Sequence, residues 1–499
     1  MSQRTHRTAA AFVAALLAAG GGTAAAVSAA AASPSCETRN NNTVSNLLEC
    51  VTLDGVREHQ AAFQQIANDN NGTRASGTPG FDASADYVVE TMEAAGWNVS
   101  VQDFTFQTFE NLSPAVLQRV APPPTATLES TIMSYSGSGD VTAPVTALPA
   151  ADATPGCEAS DFAGFTAGNI ALISRGACAF GIKATNAFNA GAVGVVIYNN
   201  IPGELAGTLG NTFTLDIPVV GITQALGQEL AATTGLELRL KTETVREMAT
   251  TSNVLAELPG KNAGNVVMAG AHLDSVSDGP GINDNGSGSA ALPELGQQLA
   301  KVKPQNTIRL AWWGAEEANL VGSTYYVTNL PEEELDRIAL YLNFDMIGSP
   351  NHVFFIYDSD NSDDVGAGPG PEGSAQIEQT FEAFFESRGI PFKGTDFSGR
   401  SDYGPFIAAG IPSGGLFTGA EGIKTAEEAA IWGGTAGMAY DPCYHQACDT
   451  YANNNDYALE QNSDAVAYAV LNYAMNTSLI NGEKAKGNFR APAPEQPTM

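Results

Sequence analysis

Four short apolar runs in the second half of the chain constrain its fold most strongly. Segments with helical spacing, such as 289–302, lie between these runs. Strands that alternate with helices are typical of a mainly parallel sheet with helices on both faces. We therefore predict an α/β fold with a mainly parallel mixed sheet from residue 254 onward, with strands at 266–272, 307–313, 338–344 and 410–416.

The 499 residues are too many for one ordinary domain, and the composition indicates where the chain divides. A helical pattern covers 82–97, and an extended stretch follows at 101–109. Three prolines at 122–124 and a run of small residues then mark a boundary. We predict an amino-terminal part of the main domain at 33–119, an insert at 120–245, the rest of the main domain at 246–482 and a disordered tail at 483–499.

The first residues have the pattern of a secretion signal. Arg4 and Arg7 precede an apolar stretch at 9–17, and the small residues at 30–32 suit a cleavage site. The alternative is a membrane anchor, but a helix that spans a bilayer needs about 20 apolar residues. We therefore predict a signal peptide at 1–32 and a secreted, extracellular protein.

The chain is strongly acidic. It has 54 Asp and Glu residues against 23 Lys and Arg residues, which gives a formal net charge of −31. A protein of this charge repels nucleic acid and anionic membranes. We predict neither of them as a partner, and we expect a monomer.

The six cysteines form three couples that are close in sequence. An even number of cysteines in an exported protein is typical of disulfide bonds. Zinc ligation by cysteine is the alternative, but the sequence contains no Cys-X-X-Cys motif. The predicted bonds are Cys36–Cys50, Cys157–Cys178 and Cys443–Cys448.

Histidine is scarce after the predicted signal, where only His59, His272, His352 and His445 occur. His272 ends an apolar run, and ligands gather at the carboxyl ends of strands in parallel sheets. Asp274, two residues further on, is placed to accept the proton of the other ring nitrogen. A purely structural role for His272 is the alternative.

Acids follow at three further positions of the same pattern. Asp284 lies in a loop rich in glycine and asparagine, where it is either a metal ligand or a turn residue. Glu316 and Glu317 end another apolar run, so one carboxylate can bind metal while the other carries protons. Asp345 is flanked by Phe and Met and is costly to bury unless it is paired or metal-bound.

The last candidate residues lie between two cysteines. A bond between Cys443 and Cys448 would hold Tyr444 and His445 in a tight loop. A phenol beside a metal can donate a hydrogen bond to an oxyanion. A surface loop that the bond only stabilises is the alternative.

Together these residues offer nitrogen and oxygen donors. Such donors suit zinc, with cobalt or manganese as substitutes. Two ions about 3.5–4 Å apart could share Asp284 and a water molecule, whose pKa would then fall to about 7.

Seven motifs cover most of residues 254–455, namely AHLDS, NDNGSG, WWGAEE, NFDMIG, GRSDYGPF, GGLFTGAEG and PCYHQACDTY. In this order they resemble the M28 family of zinc metallopeptidases, and within it the secreted bacterial aminopeptidases. The helical stretch at 82–97 suits the amino-terminal part of that family. The resemblance implies the zinc-dependent exopeptidase fold.

The insert carries a resemblance of its own. RGACAF at 175–180, preceded by Cys157, and AGAVGV at 190–195 resemble the protease-associated (PA) domain of several exported peptidases. Any other small α/β insert is the alternative. The simplest M28 peptidases lack this insert, which could form a lid, so the size of the substrate stays open.

The M28 resemblance implies two zinc ions and assigns their ligands. His272 and Asp345 would hold one zinc ion, and Glu317 and His445 would hold the other. Asp284 would bridge both ions.

The resemblance also implies roles for residues that do not bind zinc. Glu316 would be the general base and later the proton donor, and Tyr444 would stabilise the tetrahedral oxyanion. Arg400 would help to position the substrate, and Phe417 would line the site near the first side chain.

The implied reaction removes the amino-terminal residue, aliphatic or aromatic by family default, from a peptide with a free amino terminus. A metal-bound hydroxide would attack the first carbonyl, and Glu316 would pass the proton to the leaving amine. Relatives also bind calcium where Glu460 and Asp464 fall, although exposed helical acids are usually only solvated.

Other functions are alternatives for parts of this pattern. Carboxypeptidases and glutaminyl cyclases use similar ligands, but a carboxypeptidase needs cations, and Arg400 is the only Lys or Arg in a site motif. A receptor without activity would tolerate lost ligands, and every ligand position is present. The acidic run at 358–364 suggests a calcium module, but it lacks the glycine and final Glu of a helix–loop–helix site, which favours a solvated loop.

Overall fold

A computed structural model describes residues 36–483, except for residues 37, 150 and 367. The predicted signal peptide at 1–32 and residues 484–499 of the predicted tail lie outside the described residues. Two eight-stranded mixed sheets with helices on their faces make up the described part. This arrangement confirms the predicted α/β class with a second, inserted unit.

The strands of the described residues fall into the two sheets. In chain order they are β1 Asn98–Gln107, β2 Glu110–Ala121, β3 Ala126–Leu128, β4 Thr131–Ile132, β5 Gly139–Ala147, β6 Ile170–Ser174, β7 Gly194–Tyr198, β8 Val219–Ile222, β9 Glu237–Val245, β10 Met248–Leu258, β11 Asn262–His272, β12 Asn306–Trp313, β13 Ile338–Phe344, β14 Phe355–Tyr357, β15 Lys393–Thr395 and β16 Ser413–Phe417.

The helices vary from one turn to five. In chain order they are α1 Val44–Leu48, α2 Leu53–Asp69, α3 Pro79–Ala94, α4 Phe180–Asn189, α5 Gln224–Ala232, α6 Gly286–Leu299, α7 Val321–Asn329, α8 Glu332–Leu335, α9 Ser374–Arg388, α10 Tyr403–Ala408, α11 Ala426–Trp432, α12 Asp456–Met475 and α13 Ser478–Asn481, with a 3-10 turn at Ala159–Phe162.

The main sheet has the strand order β1–β10–β12–β11–β13–β16–β14–β15. Its centre is parallel, since β11 pairs with β12 and β13, and β13 pairs with β16, all in the same direction. Strands β10 and β14 join this centre antiparallel. The four central strands therefore end at one edge of the sheet, where ligands gather in folds of this kind.

The central strands are buried on both faces, which explains their unbroken apolar runs. Successive side chains point to opposite faces. Leu310 and Trp312 pack into the core below helices α2, α3, α6 and α12. Trp313 faces the other side, where the rings of Tyr341 and Phe406 stack with their centroids 3.8 Å apart.

Helix α3 shows how local signals set an element's ends. The apolar spacing predicted a helix over 82–97, and the structure has Pro79–Ala94. Pro79 occupies the first turn, where its missing N–H has no helical partner in any case. Gly96 has a φ of 87°, a left-handed conformation that ends a helix. The helix therefore begins three residues before its first predicted residue and ends before the glycine.

The second sheet has the order β3–β2–β9–β5–β6–β7–β8–β4 and contains strands from Glu110 to Val245. The boundary predicted at residue 120 falls near the end of β2. Strands β1 and β10 flank this unit and pair antiparallel in the main sheet, ending at Gln107 and Met248. The second unit is therefore inserted between β1 and β10, an antiparallel pair at one edge of the main sheet.

The three predicted disulfide bonds are present in the structure. One bond lies ahead of α2, one lies within the second unit, and one closes the loop that contains His445. Within residues 36–483, apart from the three gaps, no helix combines the length and apolar character needed to cross a bilayer.

Candidate metal centre

The candidate ligands lie at the edge where the central parallel strands end. His272 is the last residue of β11, and Asp345 directly follows β13. Glu316 and Glu317 follow β12 by three and four residues. Because His272 lies beside the end of β12 in the parallel register, residues far apart in sequence meet at this edge.

Left-handed backbone turns bring the acids to the edge. Ala315, before the two glutamates, has a φ of 52°, and Met346, after Asp345, also has a φ of 52°. Residues other than glycine adopt this conformation rarely, and such positions cluster at functional sites. Here each turn reverses the chain at the point where a carboxylate is presented.

The five predicted metal ligands form two groups that share Asp284. In the first group, His272 Nε2 lies 3.3 Å from Asp284 Oδ1 and 3.3 Å from Asp345 Oδ1. In the second, His445 Nε2 lies 3.2 Å from Asp284 Oδ2 and 3.1 Å from Glu317 Oε2. In each group one oxygen or nitrogen from every residue lies within 4.8 Å of the others. The two oxygens of Asp284 therefore face different groups.

The electrostatics of the cluster favour added positive charge. Burial alone would lower the pKa of His445, but the carboxylates of Glu317 and Asp284 outweigh it and raise the pKa to about 11. His272 behaves in the same way, because nearby acids raise its pKa against the effect of burial. In the absence of metal, protons on the imidazoles balance the carboxylates.

Glu316 stands apart from the two groups that share Asp284. Its carboxylate is buried, and its Oε2 lies 3.9 Å from His272 Nε2. Burial raises the pKa of Glu316 well above its ordinary value, and the neighbouring Glu317 and Asp345 add to the shift, although His272 opposes it. A buried carboxyl beside the donor groups is placed to take part in proton transfer.

Asp274 connects the first ligand to Glu316. His272 Nδ1 lies 3.0 Å from the backbone oxygen of Asp274 and 3.6 Å from its Oδ1. The same Oδ1 accepts a hydrogen bond from the backbone nitrogen of Glu316, over 3.2 Å. The predicted partner of His272 is thus next to the ring, but the nearer acceptor is its backbone carbonyl.

The Asp284 loop is fixed by side chains from other elements. Asp449 accepts hydrogen bonds from the backbone nitrogens of Asn283 and Asp284, each over 2.9 Å. Asn285 caps α6 by accepting from the backbone nitrogen of Gly288, over 3.0 Å. The buried guanidinium of Arg74 donates to the carbonyls of Pro280 and Gly281. These contacts hold the shared carboxylate in place.

The disulfide loop presents the second histidine. His445 has a φ of 57°, and its ring stacks on that of Tyr444 with centroids 3.8 Å apart. Arg400 Nη2 donates to the Tyr444 hydroxyl over 3.2 Å, and Arg400 Nη1 donates to Glu421 over 2.7 Å. Burial, with Asp284 and Glu317 nearby, raises the pKa of Tyr444 well above its ordinary value. The phenol therefore stays protonated and able to donate.

One cavity contains both groups and the predicted substrate contacts. Arg400, Phe417 and Tyr444 line it together with Glu316 and the five ligands, and Met346, Tyr357 and Ala420 add apolar surface. The residues predicted to bind zinc, substrate or the reacting atoms thus all line one space, and Asp274 alone lies behind it.

Three residues around the cluster escaped the sequence prediction. Asp449 follows Cys448 within the motif PCYHQACDTY, so its place beside the predicted disulfide could have marked it as a candidate site residue. Ser401 donates to Asp345 Oδ2 over 2.6 Å, also from within a recognised motif. Arg74 lies about 200 residues from its partners, and no local signal pointed to it.

Two other features of the sequence, the histidine His59 and the acids Glu460 and Asp464, lie away from this cavity. His59 is buried against Tyr87, and burial lowers its pKa to about 4. Asp464 pairs with Arg388 over 2.7 Å, and with Glu460 it lines a separate cavity. Calcium binding by this pair stays a prediction.

The fold and the site together define a metallohydrolase, since parallel strands end at two groups of nitrogen and oxygen donors beside a buried carboxylate. Residues 253–470 match the model of peptidase family M28, and residues 141–230 match that of the PA domain.

Relatives of this chain agree with that match. An aminopeptidase of Pseudomonas aeruginosa is 48% identical over 463 residues, which cover 90% of this chain and 86% of that protein. The structure of an aminopeptidase from Aneurinibacillus sp. strain AM-1 aligns with a TM-score of 0.72 and 27% identity, covering 86% of this chain and 95% of that one. A zinc aminopeptidase from Bacillus subtilis aligns with a TM-score of 0.58 and 27% identity, covering 84% and 94%.

The chain therefore belongs to peptidase family M28, with a PA domain inserted in the peptidase domain, and it is a metalloaminopeptidase.

Proposed function

We propose that this protein is a secreted aminopeptidase that binds two zinc ions and releases the amino-terminal residue of peptides, with a preference for aliphatic or aromatic side chains. The observation that carries the proposal is the position of Asp284, whose two oxygens face two separate donor groups. A carboxylate in this position is suited to bridge a pair of ions.

The residues present suit zinc. All donors are imidazole nitrogens or carboxylate oxygens, and two of the oxygens, Glu317 Oε1 and Asp345 Oδ1, are buried without a hydrogen-bond partner. We assign His272 and Asp345 to one ion, Glu317 and His445 to the other, and Asp284 to both. When bound, zinc would supply Lewis acidity at the scissile carbonyl and lower the pKa of a water molecule.

Glu316 is the residue that moves protons. It is buried beside both donor groups without belonging to the pair that shares Asp284. Its raised pKa lets it take a proton from the attacking water and return that proton to the leaving amine. The contact of its backbone nitrogen with Asp274 holds it close to His272.

Tyr444 and Arg400 act on the substrate carbonyl. The Tyr444 hydroxyl accepts its hydrogen bond from Arg400, so its own proton remains free to donate into the cavity. A donor placed in advance stabilises the oxyanion as charge develops. Glu421 in turn orients the guanidinium of Arg400.

The cavity favours an amino terminus over a carboxylate. Its lining includes seven groups that are acids or imidazoles, and among its lining residues Arg400 alone is a Lys or Arg. That guanidinium already pairs with Glu421. Phe417 and Met346 supply an apolar wall for the first side chain, which supports the proposed preference.

Release of leucine from leucine amide tests the activity, with N-acetyl-leucine amide as the control. We expect cleavage of the free amine only, loss of activity with a chelator and recovery with zinc. Elemental analysis should give two zinc ions per chain. Cleavage of the acetylated substrate, or full activity after complete metal removal, would contradict the proposal.

Export and domain layout are part of the proposal. Three disulfide bonds support an oxidising compartment. We propose cleavage near residue 32 and a peptidase domain built from the segments on either side of a PA insert. The proposed insert of 120–245 extends back to Glu110, because β2 belongs to the second sheet. Amino-terminal sequencing and size-exclusion chromatography of the protein from culture medium test the cleavage and the expected monomer.

The insert is proposed to limit access to the site. Asn211 Nδ2 of the insert donates to the backbone oxygen of Ala318, next to the loop of Glu316 and Glu317, over 3.2 Å. A unit anchored there limits the length of the peptides that can reach the site. The ratio of kcat/KM for dipeptides to that for decapeptides should fall towards unity when Asn211→Ala loosens the contact.

A further inference from the structure

A second acidic cluster lies outside the zinc-binding residues, in the loop after β14 and on helix α9. Asp358, Asp360 and Glu378 each offer one oxygen, and these three atoms lie within 4.8 Å of one another. We propose that the three carboxylates bind a calcium ion that stabilises one wall of the active-site cavity.

Two of the three carboxylates are buried. Asp358 is 1% exposed and Glu378 is 4% exposed. Asp358 Oδ1 has no hydrogen-bond partner, and its Oδ2 accepts only a long bond from the backbone nitrogen of Val365, at 3.4 Å. A buried, unpartnered carboxylate oxygen is costly, so a ligand that satisfies it is strongly favoured.

The cluster lacks a protein cation. Arg388, at the far end of the helix that carries Glu378, pairs with Asp464 over 2.7 Å, and Lys393 pairs with Glu428 over 2.8 Å. Among the described residues, no Lys, Arg or His forms an ion pair with the three acids. Burial and the Asp360 carboxylate raise the pKa of Glu378 to about 8. A proton on Glu378 would neutralise one carboxylate and leave the other two uncompensated.

The donor chemistry selects a hard cation. Only carboxylate oxygens are present, without the imidazole or thiolate donors that favour zinc. Calcium accepts six to eight oxygen ligands in flexible geometry, so loop carbonyls and water can complete its shell, whereas magnesium requires a stricter octahedron. The irregular loop that begins at Asp358 suits the larger ion.

The loop that carries the cluster supports the cavity. Asp358 donates its backbone N–H to the carbonyl of Thr395 over 2.8 Å, and Asp363 accepts from the backbone nitrogen of Gly394 over 2.7 Å. Tyr357 and Thr395, on the paired strands β14 and β15, line the active-site cavity. A bound ion would therefore fix this wall of the cavity.

Calorimetric titration of CaCl2 into the full-length, zinc-loaded protein tests the proposal, after trace calcium has been removed and the zinc content checked. We expect at least one calcium ion per chain, a higher Tm with calcium and weaker binding of magnesium. Absence of calcium binding, or equal binding of magnesium, would overturn the proposal.

Variants locate the ion. Asp358→Asn and Glu378→Gln keep the shape of the side chains, and exposed Asp360→Asn provides a change that the fold tolerates. Each should weaken calcium binding by about tenfold or more, since ligand charge sets affinity. Asp464→Asn is the matched control, and it should keep the ion that Asp358 and Glu378 hold. Unchanged affinity in Asp360→Asn and Asp358→Asn, or loss only in Asp464→Asn, would place the ion elsewhere.

Discussion

The carboxylate of Asp449 accepts a hydrogen bond from the backbone nitrogen of Asp284, over 2.9 Å. Asp449 directly follows Cys448, so this bond ties the disulfide loop that presents His445 to the loop of the shared ligand. Burial raises the pKa of Asp449 to about 8, with Asp441 adding to the shift. The position of one candidate ligand is thus coupled to that of another.

Replacing Asp449 with Asn should weaken the centre without removing a ligand. An amide group cannot accept from both Asn283 and Asp284, because one of its atoms is a donor. We expect zinc affinity or kcat/KM to fall by about 10- to 100-fold, as for other partners of metal ligands. Competition with a zinc chelator measures the affinity. Exposed Asp69→Asn is the control, and wild-type affinity in Asp449→Asn would refute the coupling.

Replacement by Gln should affect kcat and bound zinc differently at Glu316 and at Glu317. Glu316→Gln removes the proton carrier, and we expect kcat to fall by about 10²- to 10⁴-fold while the protein keeps its zinc. Glu317→Gln removes a ligand, and it should lose zinc as well as activity. Parallel measurement of kcat and bound zinc separates the two roles. Near-normal turnover by Glu316→Gln would exclude it as the base.

Tyr444→Phe should lower kcat far more than it raises KM. The hydroxyl lies within reach of Arg400 and in the cavity, where it can donate to the developing oxyanion. Loss of one such donor costs about 10²- to 10³-fold in kcat. The control is Tyr440→Phe, since the Tyr440 hydroxyl bonds Glu428 outside the cavity. Equal effects of the two changes would argue against a catalytic role.

Stability should depend on pH through Glu294. Burial raises the pKa of this side chain from the ordinary 4.5 to about 7. The folded protein therefore binds this proton more tightly than the unfolded chain, and its contribution to stability declines as pH rises from about 4.5 to about 7. The free energy of unfolding lost over this pH range is on the order of 3 kcal/mol.

Glu294→Gln should remove this dependence, because the amide stays neutral. The free energy of unfolding of Glu294→Gln, minus that of the wild type, should increase between about pH 5 and pH 8. Urea denaturation at each pH measures this difference. Exposed Glu93→Gln controls for the change of net charge. A constant difference across this range would show that Glu294 does not titrate there.

Much of the main domain could be predicted from local patterns. The strand at 338–344 was placed at its observed ends, and those at 266–272 and 307–313 fall within β11 and β12. These strands are buried on both faces, so their apolar runs are unbroken and easily recognised. The strand predicted at 410–416 begins later, at Ser413, because Gly410, with a φ of 79°, belongs to the preceding turn.

The long antiparallel strands were harder to predict. Strands β2 and β9 are only partly buried, so they carry mixed polar and apolar residues instead of a continuous apolar run. Their register, with Leu117 opposite Leu240, depends on contacts between distant segments. No local pattern specifies such a pairing.

The sequence by itself determined the residue types of the candidate metal centre and their places at strand ends or in rigid loops, because ligand chemistry, strand periodicity and turn residues are local properties. Tertiary structure alone decided that Asp284 faces both His272 and His445, and that Arg74 and Asp449 hold its loop. It also decided that Asp358 is buried beside Glu378 on another element. Those relationships depend on distances between segments that only the packed sheet and helices bring together.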